Sequence, residues 1–128
     1  MRYLIDTNIF LRLINGDVHL PKEWLDAFGD GSNEIFVSII SLWEIVIKDS
    51  IGKLPLRFPF AEIIGHALTH TNLNILPISV EHLTTLRYLP LHHRDPFDRL
   101  IIAQAISEGL TVATSDATFA KYDVSVLK

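Results

Sequence analysis

The chain has no cysteine among its 128 residues. Disulfide bonds and thiolate-ligated metal sites are therefore excluded, so any bound metal has to be held by oxygen or by imidazole nitrogen. Proteins without disulfides are at home in a reducing compartment, and we expect a cytoplasmic location.

The sequence also lacks a long apolar run, although 48% of its residues are hydrophobic. No stretch approaches the roughly 18 residues that a membrane span needs. The opening residues, MRYLID, do not resemble a signal peptide, and we expect no membrane association. The formal net charge of −4 argues against a protein that coats nucleic acid, but it allows an enzyme that contacts nucleic acid through a local patch.

Short apolar segments alternate with segments of helical periodicity. The strand candidates are Tyr3–Asp6, Ile35–Ser38, Ile75–Ile78, Thr111–Thr114 and Val124–Leu127. The clearest helix candidate is DPFDRLIIAQAISEG, which ends at Gly109. This alternation predicts an α/β fold with a mainly parallel sheet that helices cover on both faces. Because no linker or repeat interrupts the pattern, we expect a single domain over residues 1–128.

Carboxylates occur where predicted strands end or where the following helices begin. Asp6 ends the first predicted strand, and Asp116 follows the fourth. Glu44 lies one turn into the helix after the second strand, while Asp95 and Asp98 open the last long helix. Ligands bind beyond the carboxyl ends of parallel strands, so we expect these carboxylates to share a cleft. Clustered carboxylates need a cation, and oxygen ligands favour Mg²⁺ or Mn²⁺.

Each of the five acids also has a purely structural interpretation. The four aspartates are suited to cap helices or to interact with helix dipoles. Glu44 could complete a capping box with Ser41 or pair with Lys48 one turn later. Asp95 is the weakest ligand candidate because it precedes Pro96, which suits the first position of a helix. The coincidence of the whole set with strand ends favours a shared site.

Four segments of the chain, in order, resemble the successive motifs of PIN-domain proteins, and especially the VapC-type toxins of bacterial toxin–antitoxin pairs. The segments are YLIDTNIFLRL, SIISLWEIVIK, HHRDPFDRLIIAQA and TVATSDATFAKY. Together they span nearly the whole chain. The resemblance implies a three-layer α/β/α sandwich and a Mg²⁺- or Mn²⁺-dependent endoribonuclease.

The resemblance also assigns roles to individual residues. The family's four metal-binding and catalytic acids fall on Asp6, Glu44, Asp98 and Asp116, and Asp95 is a further ligand candidate within the RDPFDR form of the third motif. The implied partners are an RNA substrate, a cognate antitoxin that occupies the active-site groove, and a second copy of the chain in a homodimer.

Positive or titratable side chains cluster beside the third motif. His92, His93, Arg94 and Arg99 could bind RNA phosphates, which supply most sequence-independent affinity, or they could belong to an ordinary solvated loop. Ser115 and Thr114 could orient a water near Asp116, or they could cap the short helix that follows.

Other conspicuous residues favour structural roles. Glu62, His66 and His70 share one face of a predicted helix, and we expect a solvated face because the spelling of a zinc protease, H-E-x-x-H, is absent. Trp24 and Trp43 are expected in the core or at a partner surface, with base stacking by Trp43 as a minor alternative.

Two other functional classes are compatible with the pattern. The first is a non-catalytic module that binds RNA or protein on the same scaffold. The second is an aspartyl-phosphate phosphotransferase of the haloacid-dehalogenase type. That type needs a second aspartate two residues after the first, where this chain has Asn8. The resemblance, together with the complete acidic set, implies a ribonuclease in which a metal-activated water attacks the phosphodiester.

Overall fold

The computed structural model describes residues 1–16 and 19–127, and a four-stranded sheet lies at its centre. The strands are Arg2–Ile5 (β1), Glu34–Ser38 (β2), Leu73–Leu76 (β3) and Thr111–Ala113 (β4). They are ordered β3-β2-β1-β4, and each neighbouring pair runs parallel. The prediction of a mainly parallel sheet is confirmed.

Helices connect the strands. The described α-helices are Thr7–Ile14 (α1), Lys22–Gly29 (α2), Ile39–Ser50 (α3), Phe60–His70 (α4), Val80–Tyr88 (α5) and Pro96–Glu108 (α6). A 3₁₀-helix spans Ala117–Lys121. No helix within residues 1–16 and 19–127 is long and apolar enough to cross a membrane.

Alternate residues of the strands divide the hydrophobic core into two halves. On one face of the sheet, Tyr3, Ile5 and Val37 pack with apolar residues of α1, α2 and α4. On the other face, Leu4 and Val112 pack with residues of α5, α6 and the 3₁₀-helix. Each such buried side chain stabilises the fold by about 1.5–3 kcal/mol relative to exposure. The sheet therefore has a helical layer on each face, which confirms the predicted α/β/α sandwich.

The strand register determines which residues meet at the carboxyl edge. Ile5 at the end of β1 lies between Val37 of β2 and Ala113 of β4. The backbone N–H of Asp6 continues the ladder by donating to the carbonyl of Ala113 at 3.1 Å. Asp6 and Thr114 consequently leave the sheet side by side, although 108 residues separate them in the chain.

Two strand predictions differ from the structure. The predicted strand Ile75–Ile78 is observed two residues earlier as β3, because Pro77 has no N–H to donate and ends the pairing. The predicted strand Val124–Leu127 is only an isolated parallel bridge between Val126 and Val112. β4 is three residues long, so its outer edge offers little backbone for a fifth strand.

The start of α3 also differs from the prediction. Ser38 caps this helix, and its hydroxyl accepts a hydrogen bond from the backbone N–H of Ile40 at 3.0 Å. The helix begins directly where β2 ends, so Ser41 lies inside it. The Ser41 hydroxyl accepts instead from the hydroxyl of Thr7 at 2.8 Å, and the predicted capping box with Glu44 is wrong.

Candidate functional site

Asp6 lies at the carboxyl end of β1 and is buried. Its Oδ1 accepts from the backbone N–H of Ile9 at 2.8 Å, which caps α1. Its Oδ2 accepts from the hydroxyl of Thr114 at the end of the neighbouring strand. Both carboxylate oxygens are thus oriented. Asp6 is the helix cap that the structural interpretation predicted, and it also belongs to the predicted cluster of acids.

Glu44 reaches the same region from the second turn of α3. It is buried, and its Oε2 pairs with the Nζ of Lys48 at 3.1 Å, as the spacing of four residues predicted. Its Oε1 is also buried but has no hydrogen-bond partner among the residues that the structure describes. Such an unpaired buried oxygen costs free energy unless a donor or a cation satisfies it.

Asp98 and Asp116 meet at the imidazole of His93. The Nε2 of His93 lies 3.1 Å from Oδ2 of Asp98 in the first turn of α6. The same nitrogen lies 2.9 Å from Oδ2 of Asp116, which caps the 3₁₀-helix after β4. The three side chains each present a ligand atom within 4.8 Å of the others, which is close enough for a shared cation.

The electrostatics of these carboxylates indicate that all four lie in one field. Burial raises the pKa of Asp98 to about 7, and the charges of Asp95, Glu44 and Asp6 add to the rise, while His93 opposes it. Burial likewise raises the pKa of Asp6. The hydrogen bonds from Thr114 and Ile9 oppose that rise, and the charges of Asp116 and Glu44 add to it. Acids that are distant in sequence therefore repel one another across a single cleft.

Asp116 differs in the direction of its pKa. Burial works to raise it, but the pKa is lowered overall because hydrogen bonds from Thr118 and His93 stabilise the charged form. Its Oδ1 accepts from the backbone N–H of Thr118 at 2.9 Å, and its Oδ2 is the oxygen near His93. The surroundings of Asp116 therefore favour its ionised form, whereas those of Asp6 and Asp98 oppose it.

Asp95 caps α6, as the structural interpretation predicted. Its Oδ1 accepts from the backbone N–H of Phe97 at 2.9 Å, and Pro96 occupies the first helical position. Its charge still reaches the cluster, since it is the second largest cause of the raised pKa of Asp98. Asp95 lies at the border of the site.

The four residues that could contact RNA differ in exposure. His92 and Arg94 are exposed and lie just before Asp95 in the chain. Arg99 is half-buried and donates from Nη2 to the carbonyl of Leu89 at 3.3 Å. His93 points at the carboxylates themselves. Ser115, a candidate to orient a water or to cap the following helix, is exposed next to Asp116, and Asp116 is the residue that caps the 3₁₀-helix.

Several interactions at the site have no signature in the sequence. The pairs Thr114–Asp6 and Thr7–Ser41 join residues from different strands and helices. His93 was a candidate for RNA phosphates or for a solvated loop, whereas its ring lies between two acids. The proximity of HH to RDPFDR was the available signal, but the loop geometry that turns the ring inward is not encoded in spacing.

Trp43 is not a core residue. Its side chain is 56% exposed and packs edge-to-face on Phe97, with ring centroids 5.1 Å apart. Trp24, in contrast, is buried as expected. His66 and His70 are exposed and stacked on α4, which fits a solvated helix face.

The side chains that converge here fit a hard divalent cation. The ligand set is dominated by carboxylate oxygens, as Mg²⁺ and Mn²⁺ prefer. The unpaired Oε1 of Glu44 and the raised pKa of Asp98 both indicate negative charge without sufficient compensation from the protein. A separate groove of about 1210 Å³ between α1, α2 and α4 contains none of the four acids among its described lining residues.

Comparison with known proteins agrees with this architecture. Solved structures with the same fold include VapBC2 from Rickettsia felis bound to a DNA fragment from its promoter, which is 22% identical with a TM-score of 0.76 over 100% of this chain and 98% of that one. A toxin–antitoxin complex from Klebsiella pneumoniae is 25% identical, with a TM-score of 0.67 over 98% and 96% of the two chains. The PIN domain endonuclease Utp24 is 13% identical, with a TM-score of 0.53 over 99% and 96%.

No curated protein sequence matches the chain significantly. The family model of the PIN domain, however, matches residues 3–125, which include all four acids of the cluster. The chain therefore belongs to the PIN domain family.

Proposed function

We propose that the protein is a Mg²⁺- or Mn²⁺-dependent endoribonuclease that acts as the toxin of a toxin–antitoxin pair in the cytoplasm. The observation that carries the proposal is the convergence of Asp6, Glu44, Asp98 and Asp116 from four separate segments on one cleft, with an unpaired buried oxygen on Glu44. Membership of a family that includes a known endonuclease supports a nuclease.

In this proposal the four acids hold one or two divalent ions, directly or through water. A bound ion of this kind activates a water for attack on a phosphodiester and stabilises the charge that develops on the phosphate. Thr114 fixes the orientation of the Asp6 carboxylate by hydrogen bonding to Oδ2. The carboxylates are thus arranged before the ion arrives, which favours tight and correctly placed binding.

The RNA substrate would approach over the exposed rim of the cleft. Arg94 and His92 are exposed in the segment just before Asp95 and can contact phosphates without base recognition. Ser115 is exposed beside Asp116, where its hydroxyl can orient a water. Arg99 is a poorer candidate because one of its nitrogens already donates to the carbonyl of Leu89.

A protein partner is part of the proposal. Several solved relatives of the fold are toxin–antitoxin complexes, which supports a cognate antitoxin for this chain. Exposed apolar side chains on α3, including Ile39, Trp43 and Val46, offer surface that association would bury, either with the antitoxin or in a homodimer. An antitoxin that carries a basic side chain into the acidic cleft would inhibit by replacing the charge of the metal.

The phosphotransferase alternative is disfavoured by the residue two positions after Asp6. The haloacid-dehalogenase type needs a second aspartate there, and this chain has Asn8. A non-catalytic module would not need a cation to neutralise the acids of the cleft. Metal-dependent RNA cleavage therefore distinguishes the enzyme from such a module.

The proposal is tested by cleavage of a labelled single-stranded RNA. Purified protein freed of metal with a chelator should be inactive, and addition of excess Mg²⁺ or Mn²⁺ should restore cutting. Asp6→Asn protein prepared in parallel controls for contaminating nucleases and should stay inactive with metal. Cutting that persists undiminished in chelator, and is absent from the Asp6→Asn preparation, would contradict metal dependence.

A further inference from the structure

The imidazole of His93 is fixed by contacts on several sides. The backbone N–H of His93 donates to the hydroxyl of Tyr122 at 2.8 Å, and the ring packs edge-to-face on the buried side chain of Phe119. Its Nδ1 lies 3.1 Å from the backbone nitrogen of Asp95. Only 15% of the side chain is exposed. The ring therefore has one orientation, with Nε2 directed at the acidic cluster.

The hydrogen bond at Nδ1 assigns the tautomer. The backbone N–H of Asp95 can only donate, so Nδ1 of His93 must be the acceptor and carries no proton. In neutral imidazole the proton then resides on Nε2. Nε2–H is therefore a donor. It hydrogen-bonds to Oδ2 of Asp116 at 2.9 Å, and Oδ2 of Asp98 lies 3.1 Å from the same nitrogen, close enough for the proton to attract its charge.

The Nε2–H of His93 lies close to both Asp98 and Asp116 and draws the two carboxylates together. Each carboxylate can still bind a cation. A carboxylate oxygen has two lone pairs, so an oxygen that accepts from His93 can still face a metal. Asp98 depends on this contact more than Asp116 does. Asp116 also accepts from Thr118, whereas His93 is the hydrogen-bonding or ion-pair partner that Asp98 has within the described residues.

We propose that His93 is a positioning residue for the metal site, whose Nε2–H holds Asp98 and Asp116 at the separation that a divalent cation needs. The inference rests on the proposed function, since it presumes that these acids bind metal. Neither Asp98 in α6 nor Asp116 after β4 is placed opposite the other by local structure alone. The imidazole supplies the missing link between the two segments.

His93 is distinguished by its tautomer from a metal ligand. To ligate through Nε2, the neutral ring would have to carry its proton on Nδ1 and lose the hydrogen bond from Asp95. A positioning role for His93 also differs from a blocking role. A ring that merely filled the site of the cation would hinder metal binding. The three roles predict different effects of substitution on metal affinity.

The test is Mn²⁺ binding to the full chain, measured from the electron paramagnetic resonance signal of free Mn²⁺ during titration with MnCl₂. In His93→Gln the side-chain amide nitrogen can reach the position of Nε2 and keep the donor. In His93→Asn the shorter side chain can accept from Asp95 but cannot reach the acids. His66→Asn, the same substitution at an exposed histidine of α4, is the matched control. Metal-free thermal melts establish that each variant is folded.

The proposal predicts that His93→Asn weakens Mn²⁺ binding about 10- to 100-fold, as removal of a residue that orients metal ligands typically does. His93→Gln should bind close to the parent, and His66→Asn should be unchanged. Equal weakening in His93→Gln and His93→Asn would indicate a ligand, and tighter binding in His93→Asn would indicate a blocking group. Either result, or unchanged binding in both, overturns the proposal.

The outcome also separates this inference from the proposed function. A parent protein that binds Mn²⁺ while the variants behave contrary to prediction overturns only the role of His93. A parent that binds no Mn²⁺ overturns the metal-dependent nuclease and the positioning role together. If His93→Asn does not fold, His93→Gln alone still decides between donor and ligand, because only a ligand role requires a ring nitrogen.

Discussion

At the scale of single residues, Asp98 carries a strongly perturbed charge. Burial and the neighbouring acids raise its pKa to about 7, so near neutral pH the metal-free fold holds this carboxylate against repulsion. A carboxylate kept in such a place without benefit to stability is typical of a functional site. Its removal should therefore change stability and metal binding in opposite directions.

Asp98→Asn should stabilise the metal-free protein by about 1 kcal/mol at pH 8, a value kept small because the side chain is partly solvated. The same substitution should reduce the rise in melting temperature caused by Mn²⁺ and lower RNA cleavage steeply. Asp26→Asn, at an exposed acid of α2, should leave all three quantities unchanged. Thermal melts with chelator and with Mn²⁺ measure the first two. If Asp98→Asn keeps the full Mn²⁺ shift and activity, Asp98 is only a helix-dipole partner.

The pKa of Asp98 also predicts a pH dependence. The folded chain binds this proton up to about pH 7, whereas the unfolded chain loses it near the ordinary value of about 4. Between these values the folded state binds more protons, so the parent loses stability as the pH rises through this window. The stabilisation by Asp98→Asn should therefore grow from about pH 4 to about pH 7 and then level off. Urea unfolding of both metal-free proteins across this range measures it, and a difference independent of pH would contradict the raised pKa.

The sequence identified the candidate acids, but it did not identify the side chains that hydrogen-bond to them. Asp6, Glu44 and Asp116 stand at strand ends or in the helices that follow, and strand–helix alternation predicts that such positions converge. Thr114 and His93 were candidates for other roles, and their contacts with Asp6 and Asp98 became apparent only in three dimensions. Their contacts depend on strand register and on the course of a loop, and neither leaves a periodic pattern in the sequence.

At the scale of secondary-structure elements, α3 is the helix that places Glu44 in the cleft. Ser38 caps it, and the Ser38 hydroxyl also donates to Oε1 of Gln104 in α6. The Gln104 amide in turn donates to the carbonyl of Pro77 at 3.3 Å. Ser38 and Gln104 are fully buried. This buried polar chain fixes the start of α3 against α6, and thereby the position of one acid relative to another.

Ser38→Ala should destabilise the protein by about 2 kcal/mol, because the helix loses its cap and Gln104 keeps a buried acceptor without a donor. Ser50→Ala at the other end of α3 is the matched control. Ser50 is exposed and donates only to the carbonyl of Ile47, so the change should stay within about 0.5 kcal/mol. Urea unfolding compares the two variants. A loss in Ser38→Ala no greater than in Ser50→Ala would show that the buried chain does not anchor the helix.

Element boundaries were the least predictable part of the fold. Both Ser38 and Ser41 suit a helix cap by composition, and only the length of β2 decides between them. The residues of the predicted fifth strand are apolar and alternating, yet a strand also needs a partner edge. β4 provides that edge for one residue, Val112, so the segment makes a single bridge. Local sequence does not contain this information.

At the scale of the whole molecule, the order of the sheet is what assembles the site. β1 lies between β2 and β4, so the segments that follow these three strands leave the same edge next to one another. The acids at positions 6, 44 and 116 therefore come together, and the first turn of α6, the helix that leads into β4, brings Asp98 to them. The parallel topology was predictable from alternation alone, because parallel strands require crossover helices.

Expression of the whole protein in a bacterial host should arrest growth, because an RNA-cleaving enzyme without its antitoxin would act on cellular RNA. Asp6→Asn removes one acid while keeping a residue that caps helices well, so the variant should accumulate but fail to arrest growth. Growth curves at matched protein levels measure the effect. An Asp6→Asn protein as toxic as the parent would show that the acidic cleft is not the cause.

The central claim is that carboxylates from four separate segments form one metal site. Anomalous diffraction from a crystal soaked in MnCl₂ tests it most directly. We predict a Mn²⁺ peak in the cleft bounded by Asp6, Glu44, Asp98 and Asp116, with Oε1 of Glu44 facing the ion directly or through a water. A crystal soaked at a Mn²⁺ concentration that supports RNA cleavage, yet with no peak at these four residues, would contradict the claim.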